Sequence, residues 1–419
     1  MSTAVAPADT ASPSTSQLKP RRSIVGLVLV LGTLAATGPL ATDLYLPAFP
    51  AIAEDLGATE AQISLTLTAA MIGLALGQLV IGPMSDAWGR RKPLLIGTVI
   101  FTIASLLCMF VPSATAFIVV RFIQGMAGAA GAVISRAIAR DHFEGDDVAR
   151  FFSRLMLVTM LAPMLGPVLG AQLLVLGPWQ LSFAVLTAVA VLSLVLVYFF
   201  LPESLPASER KPMRPAQLWA TVSSLVRDVR FIGPVLTLSM VFAVMFTYIA
   251  NFSFVSQNEF DATAQGFAIM FGINTVGLLI GTQVNGFLIG RVETTRRLIG
   301  GLVGTLLAVA ALAIVDMTGQ AGVVSVTIVF FALMFSVGFV FPNATTMALS
   351  SQPPSVAGTA SALMGTLQFA LGGGLSTLAT MTATGTVTLD SMATVMVIVS
   401  VIAAVIYAVS HRRAARFAA

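Results

Sequence analysis

Twelve apolar stretches recur along this sequence, at roughly 23–46, 62–82, 93–112, 115–138, 151–175, 180–201, 231–254, 264–290, 297–317, 322–347, 356–380 and 388–410. Most are close to the ~20 residues a helix needs to cross the hydrocarbon of a bilayer. A chain of 419 residues that is 57% hydrophobic and only 10% charged cannot bury that much apolar surface in one soluble core. The expected fold is therefore an all-α polytopic membrane protein with twelve transmembrane helices.

Assigning the loops alternately to the two sides gives a charge test, because cytoplasmic loops hold the Lys and Arg. Basic residues precede the first span (Lys19, Arg21, Arg22) and follow the second (Arg90, Arg91, Lys92) and the fourth (Arg136, Arg140, Arg150, Arg154). Others follow the sixth (Arg210, Lys211, Arg214, Arg227, Arg230), the eighth (Arg291, Arg296, Arg297) and the twelfth (Arg412, Arg413, Arg416). These make up 21 of the 22 basic residues, while the opposite loops carry acids such as Glu54, Asp55, Glu60, Glu259 and Asp261. Both termini are thus expected in the cytoplasm. The basic balance reports membrane orientation and calls for no nucleic-acid partner.

Residues 1–22, rich in Ser, Thr, Ala and Pro, lack a signal-peptide cleavage site and read as a disordered cytoplasmic tail. The longest polar segment, 202–230, separates a first six-helix bundle (23–201) from a second (231–410), and 411–419 forms a cytoplasmic tail. Leu218, Val222, Leu225 and Val226 in the linker are spaced like one helical face, which fits either an amphipathic surface helix or a solvated connection. "GPMSDAWGRRKP" (82–93) has a faint echo in "GFLIGRVETTRR" (286–297), as a duplicated, pseudo-symmetric architecture predicts.

The one remaining basic residue, Arg121, lies inside the fourth span, and Asp43 lies near the end of the first. At 1.5 Å per residue both sit roughly 10 Å below the surface opposite the basic loops. Ions in hydrocarbon cost several kcal/mol, so both are expected to face a bundle interior or an aqueous cavity. A static salt bridge between the two helices, or an interfacial Asp43 on a helix ending near Tyr45, are the bland alternatives. "APMLGPVLGAQ" in the fifth span places Ala162, Gly166 and Gly170 four apart on one face with Pro163 and Pro167 between them, and Gly277 and Gly281 are a candidate partner face. In the loop after the second span, Gly82, Asp86, Gly89 and Arg90 frame a charged turn, and Asp86 is expected to cap a helix or pair with Arg140 as a latch. Polar residues within spans include Gln78, Gln283 and Asn285. Tyr45, Gln124, Tyr248, Asn251, Asn274, Asn343 and Gln368 are candidates for a mostly apolar and aromatic substrate cavity, each with interhelical hydrogen bonding as its alternative.

No P-loop or HExxH pair occurs, so neither ATP-driven transport nor membrane proteolysis is expected, and no catalytic residue, cofactor or metal site is implied. His142 and His411 fall at helix ends and read as solvated surface, and the single cysteine, Cys108, as a small core residue.

"GPMSDAWGRRKP" resembles the loop signature of the major facilitator superfamily, and "RFIQGMAGAAGA" (121–132) its fourth-helix signature. "APMLGPVLGAQ" resembles the fifth-helix antiporter motif without its first and last glycines. "LATDLYLPAFPAIAEDLG" (40–57) and "PNATTMALSSQPPSVAGTASALMGTLQF" (342–369) are similar to the bicyclomycin-resistance (Bcr/CflA) branch of drug/proton antiporters. The resemblance implies two rocking six-helix bundles that export hydrophobic or amphiphilic compounds in exchange for protons across a bacterial inner membrane, as a monomer. It makes Asp43 the proton carrier, Arg121 its charged partner, Gly166, Pro167 and Gly170 the flexing contact between the halves, and Asp86 and Arg90 part of a cytoplasmic latch. A superfamily importer or exporter of one endogenous metabolite would share most of these motifs.

Overall fold

A computed structural model describes residues 21–142, 164–210, 215–353, 356–381 and 386–416. Twelve long helices follow in chain order: α1 (Arg21–Asp43), α2 (Glu60–Trp88), α3 (Arg91–Leu107), α4 (Ala114–His142), α5 (Met164–Leu176) and α6 (Gln180–Phe200). The second set is α7 (Val229–Phe254), α8 (Ala264–Phe287), α9 (Thr294–Met317), α10 (Val323–Ser350), α11 (Ala357–Ser376) and α12 (Leu389–Arg416). The described residues contain no strand, and ten of the helices are long and apolar enough to cross a membrane. With no water available to their backbones, such segments must satisfy their own hydrogen bonds, and a helix does so.

Local sequence sets the boundaries. Thr59 Oγ1 accepts from the Gln62 N–H while the Thr59 N–H donates in return to Gln62 Oε1, which starts α2. Thr263 starts α8 and Asp228 starts α7 through similar side-chain caps. The first helix stops at Asp43, three residues before the sequence expectation. Pro47 and Pro50 lack the N–H groups a continuing helix needs, and the chain passes into a 3-10 turn at Leu46–Ala48 and a short helix at Phe49–Asp55. Leu44 through Phe49 are all buried, and so is Asp43, although its helix has ended there.

Packing repeats with an offset of six helices. The pairs α1–α4, α1–α6, α2–α4, α3–α4 and α3–α6 recur as α7–α10, α7–α12, α8–α10, α9–α10 and α9–α12. Both copies of the second-to-fourth contact rest on glycine. A Cβ on Gly125 would strike the Ala70 carbonyl, and one on Gly281 the Phe335 carbonyl, so the backbones approach as close as small residues permit. Outward-facing Phe199, Phe200, Leu307, Val324 and Ile328 give the bundle the apolar exterior a bilayer requires. Cys108 is fully buried in the core.

The linker contains a helix at Pro215–Arg227. Leu225 is buried and Leu218 and Val222 are half-buried, whereas Val226 is exposed, so three of the four apolar residues turn toward the protein. Ala162 and Pro163 lie outside the described residues, as do Arg150 and Arg154.

Candidate functional site

Between the two sets of helices lies a cavity of about 450 Å³. From α4 it is lined by Arg121, Gln124, Gly125, Gly128, Ala132 and Arg136, a spacing that returns one helical face every three or four residues. Asp43 and Thr42 contribute from α1 and Met71 and Gln78 from α2. The opposite wall is aromatic. Phe242 stacks on Phe246 at 5.7 Å and meets Phe369 edge-on at 5.4 Å, while Tyr248 stacks on Phe271 at 5.6 Å.

One end of this cavity is closed by contacts between the halves. The Ser253 hydroxyl donates to the Leu46 carbonyl at 2.5 Å, the Asn258 amide to Glu60 Oε1 at 2.6 Å, and the Val387 N–H to Glu60 Oε2 at 2.6 Å. Phe49 packs on Phe254 with ring centroids 5.5 Å apart. Toward the basic-loop end a second space, of about 370 Å³, separates Asp86, Arg90 and Asp141 from Gly358 and Thr359 of α11. Gln78 and Arg136 line both spaces, so the cavity leads toward the basic loops.

Asp43 and Arg121 line this cavity together but form no ion pair with each other, which overturns the static salt bridge considered above. Arg121 is fully buried, and its Nη1 donates to Gln124 Oε1. Gln124 Nε2 in turn donates to Ser105 Oγ at 2.7 Å. The guanidinium lies 4.5 Å from the centroid of the Tyr45 ring and 5.9 Å from that of Phe183, a cation–π seat that draws it away from the acid. Its Nε and Nη2 are buried without hydrogen-bond partners.

Of the seven cavity candidates, Gln124 and Tyr248 line the space. Asn274 stands behind the wall and donates to the Tyr248 hydroxyl at 2.9 Å. Tyr45 sits in an aromatic cluster with Phe49, Phe117 and Phe183 and shares a hydrogen bond with Thr66. Asn251 bonds to Ser64 and to backbone carbonyls, Asn343 bonds to Asn285, and Gln368 is half-buried off the lining. Gln283 is exposed on the outer face of α8. The motif glycines also sit elsewhere than expected. Gly166 and Gly170 pack on the end of α1, whereas Gly277 and Gly281 pack on Phe331 and Phe335 of α10, so the two stripes do not meet.

At the charged turn, Arg90 Nη1 donates to Asp86 at 2.5 Å and to Ser85 Oγ at 2.9 Å, and Arg90 Nε to Asp141 at 3.1 Å. Gly89 adopts φ +90, and a Cβ there would collide with Glu203. Glu203 accepts from the Arg90 N–H at 2.7 Å and the Arg91 N–H at 3.2 Å, capping α3. Burial pushes the Glu203 carboxyl up, but the N–H groups of Leu205, Arg90 and Arg91 and the charge of Arg210 outweigh it and hold the group below the usual carboxylate range. Gly82 lines the neighbouring space. The Arg140 side chain lies outside the described residues, and Asp86 pairs with Arg90. Asp141 and Glu203, missed from sequence, complete the cluster. The signal available was the short "PES" after the sixth span, an acid that returns to the α3 N-terminus.

A duplicated helical bundle around a cavity closed at one end is the architecture of a secondary transporter. The family description Major Facilitator Superfamily matches residues 29–377, and the chain belongs to that superfamily. It is 37% identical over 376 residues to the uncharacterized MFS-type transporter YdgK of Bacillus subtilis, covering 89% of this chain and 93% of that one. It is 30% identical over 363 residues to a bicyclomycin resistance protein homolog of Haemophilus influenzae, covering 84% and 88%. Among solved structures it resembles the inward-facing bacterial homolog of the human lysosomal transporter Spinster, with TM-score 0.74 at 13% identity over 94% of this chain and 98% of that one.

Proposed function

We propose that this multi-pass membrane transporter exports hydrophobic and amphiphilic organic compounds from bacteria in exchange for protons, working as a monomer in the inner membrane with both termini in the cytoplasm. The observation that carries the reading is Asp43, a carboxylate with 6% of its surface exposed on an otherwise largely apolar cavity, unpaired with the cation that shares it. Such a group changes charge readily when water access changes. The aromatic wall suits flat apolar molecules. Relatives with resistance names support the drug-export sense.

In this reading Arg121 tunes Asp43, and a cycle moves the closed end and the open end in alternation. Proton release on substrate binding, measured on purified protein, tests it: wild type releases protons in a pH-dependent way and Asp43→Asn does not, as linkage between two ligands requires. Equal release by the mutant would sink the assignment. Cysteines at Glu54 and Ser208, both exposed, test orientation when placed in a Cys108→Ala background. An impermeant reagent should label the first from outside intact cells and the second only after opening them.

A further inference from the structure

Six amide side chains are buried among the described residues: Gln78, Gln124, Asn251, Asn274, Asn285 and Asn343. An amide in apolar surroundings needs partners for its N–H groups and its carbonyl. Five find them inside the protein: Gln124 with Arg121 and Ser105, Asn251 with Ser64, Asn274 with Tyr248, and Asn285 and Asn343 with each other. Gln78 makes no hydrogen bond, although only 5% of its surface is exposed. Its amide atoms are not sealed into the packing, as the Asn274 Oδ1 is, and so remain within reach of the cavity.

Gln78 stands where the central cavity meets the space toward the basic loops, since it lines both. The cavity face of α2 runs through Met71, Leu74 and Gln78, and only the last is polar. Its amide rests on α11 of the second half, where a Cβ on Gly365 would come within 2.6 Å of Gln78 Oε1. Phe369 of the aromatic wall follows Gly365 by one turn, about 6 Å along the helix. The neutral hydroxyls of Thr42 and Thr275 on the lining already donate to the Pro39 and Phe271 carbonyls, and Arg136 Nε donates to that of Ala132.

We infer that Gln78 is a specificity-determining residue of the transport site and selects substrates that carry an amide or lactam close to an aromatic ring. A carboxamide presents an N–H donor beside a C=O acceptor, and the edge of a lactam presents the same two groups, so the pair exchanges two hydrogen bonds. The substrate's ring then lies against Phe369 and Phe242, one turn away. A lactone of the same shape keeps the acceptor but sets a ring oxygen against the Gln78 carbonyl, which is left without a donor. This deepens the export reading and rests on it.

Purified full-length protein in neutral detergent, titrated calorimetrically with β-phenyl-γ-butyrolactam and with β-phenyl-γ-butyrolactone, tests the inference. Wild type should bind the lactam about tenfold more tightly than the lactone, the scale of one well-made hydrogen bond. Gln78→Met, which keeps the length of the side chain and removes its amide, should bind the two equally. A merely structural role for Gln78 would change both affinities together and leave their ratio intact. Thermal midpoints report folding, and Gln78→Leu repeats the measurement if Gln78→Met is not folded. A preference that survives in either folded variant would overturn the role of Gln78. Equal binding of the two compounds by wild type, or binding of neither, would overturn the amide class. Proton release followed in the same titrations separates this from the exchange reading: a preference without release upholds Gln78 and defeats proton exchange, and release without a preference does the reverse.

Discussion

Gly166 stands directly against Asp43: a Cβ built on the glycine would lie 2.8 Å from the Asp43 Cβ. One turn further on, a Cβ on Gly170 would strike the Leu44 carbonyl. The antiporter-type motif of α5 thus grips the point where α1 ends and its carboxylate begins. Gly170→Ala should displace that end and cost about 1–3 kcal/mol of stability, the usual scale of overpacking. Gly166→Ala, whose Cβ would meet the Asp43 Cβ at 2.8 Å and lie within 3.5 Å of the Asp43 and Leu44 backbone, clashes less severely and should keep more stability yet move the pH profile of proton release. An unchanged profile in a folded Gly166→Ala protein would show that the contact is packing alone.

Arg121 yields a prediction of opposite sign for stability and activity. A buried guanidinium with two unpartnered N–H groups costs the fold more than an apolar residue of similar length, because each such group forfeits its hydration. Arg121→Met should therefore raise the thermal midpoint or leave it unchanged, while substrate-linked proton release falls at least about tenfold, the common trade between stability and function. A loss of about 3–5 kcal/mol would instead signal a broken buried ion pair, and would mean that Asp43 and Arg121 are paired in the state that dominates in solution.

These two charges were legible in the sequence because ions in apolar runs are costly enough to need a reason. The cavity wall was not. Phe242, Phe246 and Phe369 line the cavity, whereas Phe199 and Phe200 face outward, and both sets sit in equally apolar stretches, so side-chain type alone does not separate them. Asn251 and Asn343 went to interhelical hydrogen bonds for the reason that applies to any amide in hydrocarbon, the need for a partner. Asp141 and Glu203 were hidden by the opposite circumstance. An acid at a polar helix end, as Asp141 is, or in a polar loop, as Glu203 is, costs little to expose, and only the fold brings these two to Arg90.

Glu60 supplies both oxygens to the second half at the closed end, and hydrogen bonds to a charged group are worth about 1.5–3 kcal/mol each. Glu60→Ala should shift the balance toward states open at that end by at least about tenfold. Spin labels at the exposed positions Glu54 and Gln320, one in each half, should report a longer distance population in the mutant. Identical distance distributions would show that the aromatic contact of Phe49 with Phe254 and the Ser253 bond hold the closure without it.

The final prediction concerns pH and the cap on α3. Glu203 has a carboxyl held below its ordinary range in the folded protein, so its contribution to stability is present above the unfolded value and is lost as pH falls through the depressed folded value. Glu203→Ala should cost about 1 kcal/mol at neutral pH, the scale of a lost helix cap. The gap between wild type and Glu203→Gln should be widest at neutral pH and close as the solution is acidified below about pH 4, where an ordinary Glu carboxyl protonates and the folded one follows. Thermal midpoints of both proteins across that range measure it. A gap that stays constant with pH would mean that Glu203 acts through shape and neutral hydrogen bonding, and that its charge adds nothing to the turn that joins α2 to α3.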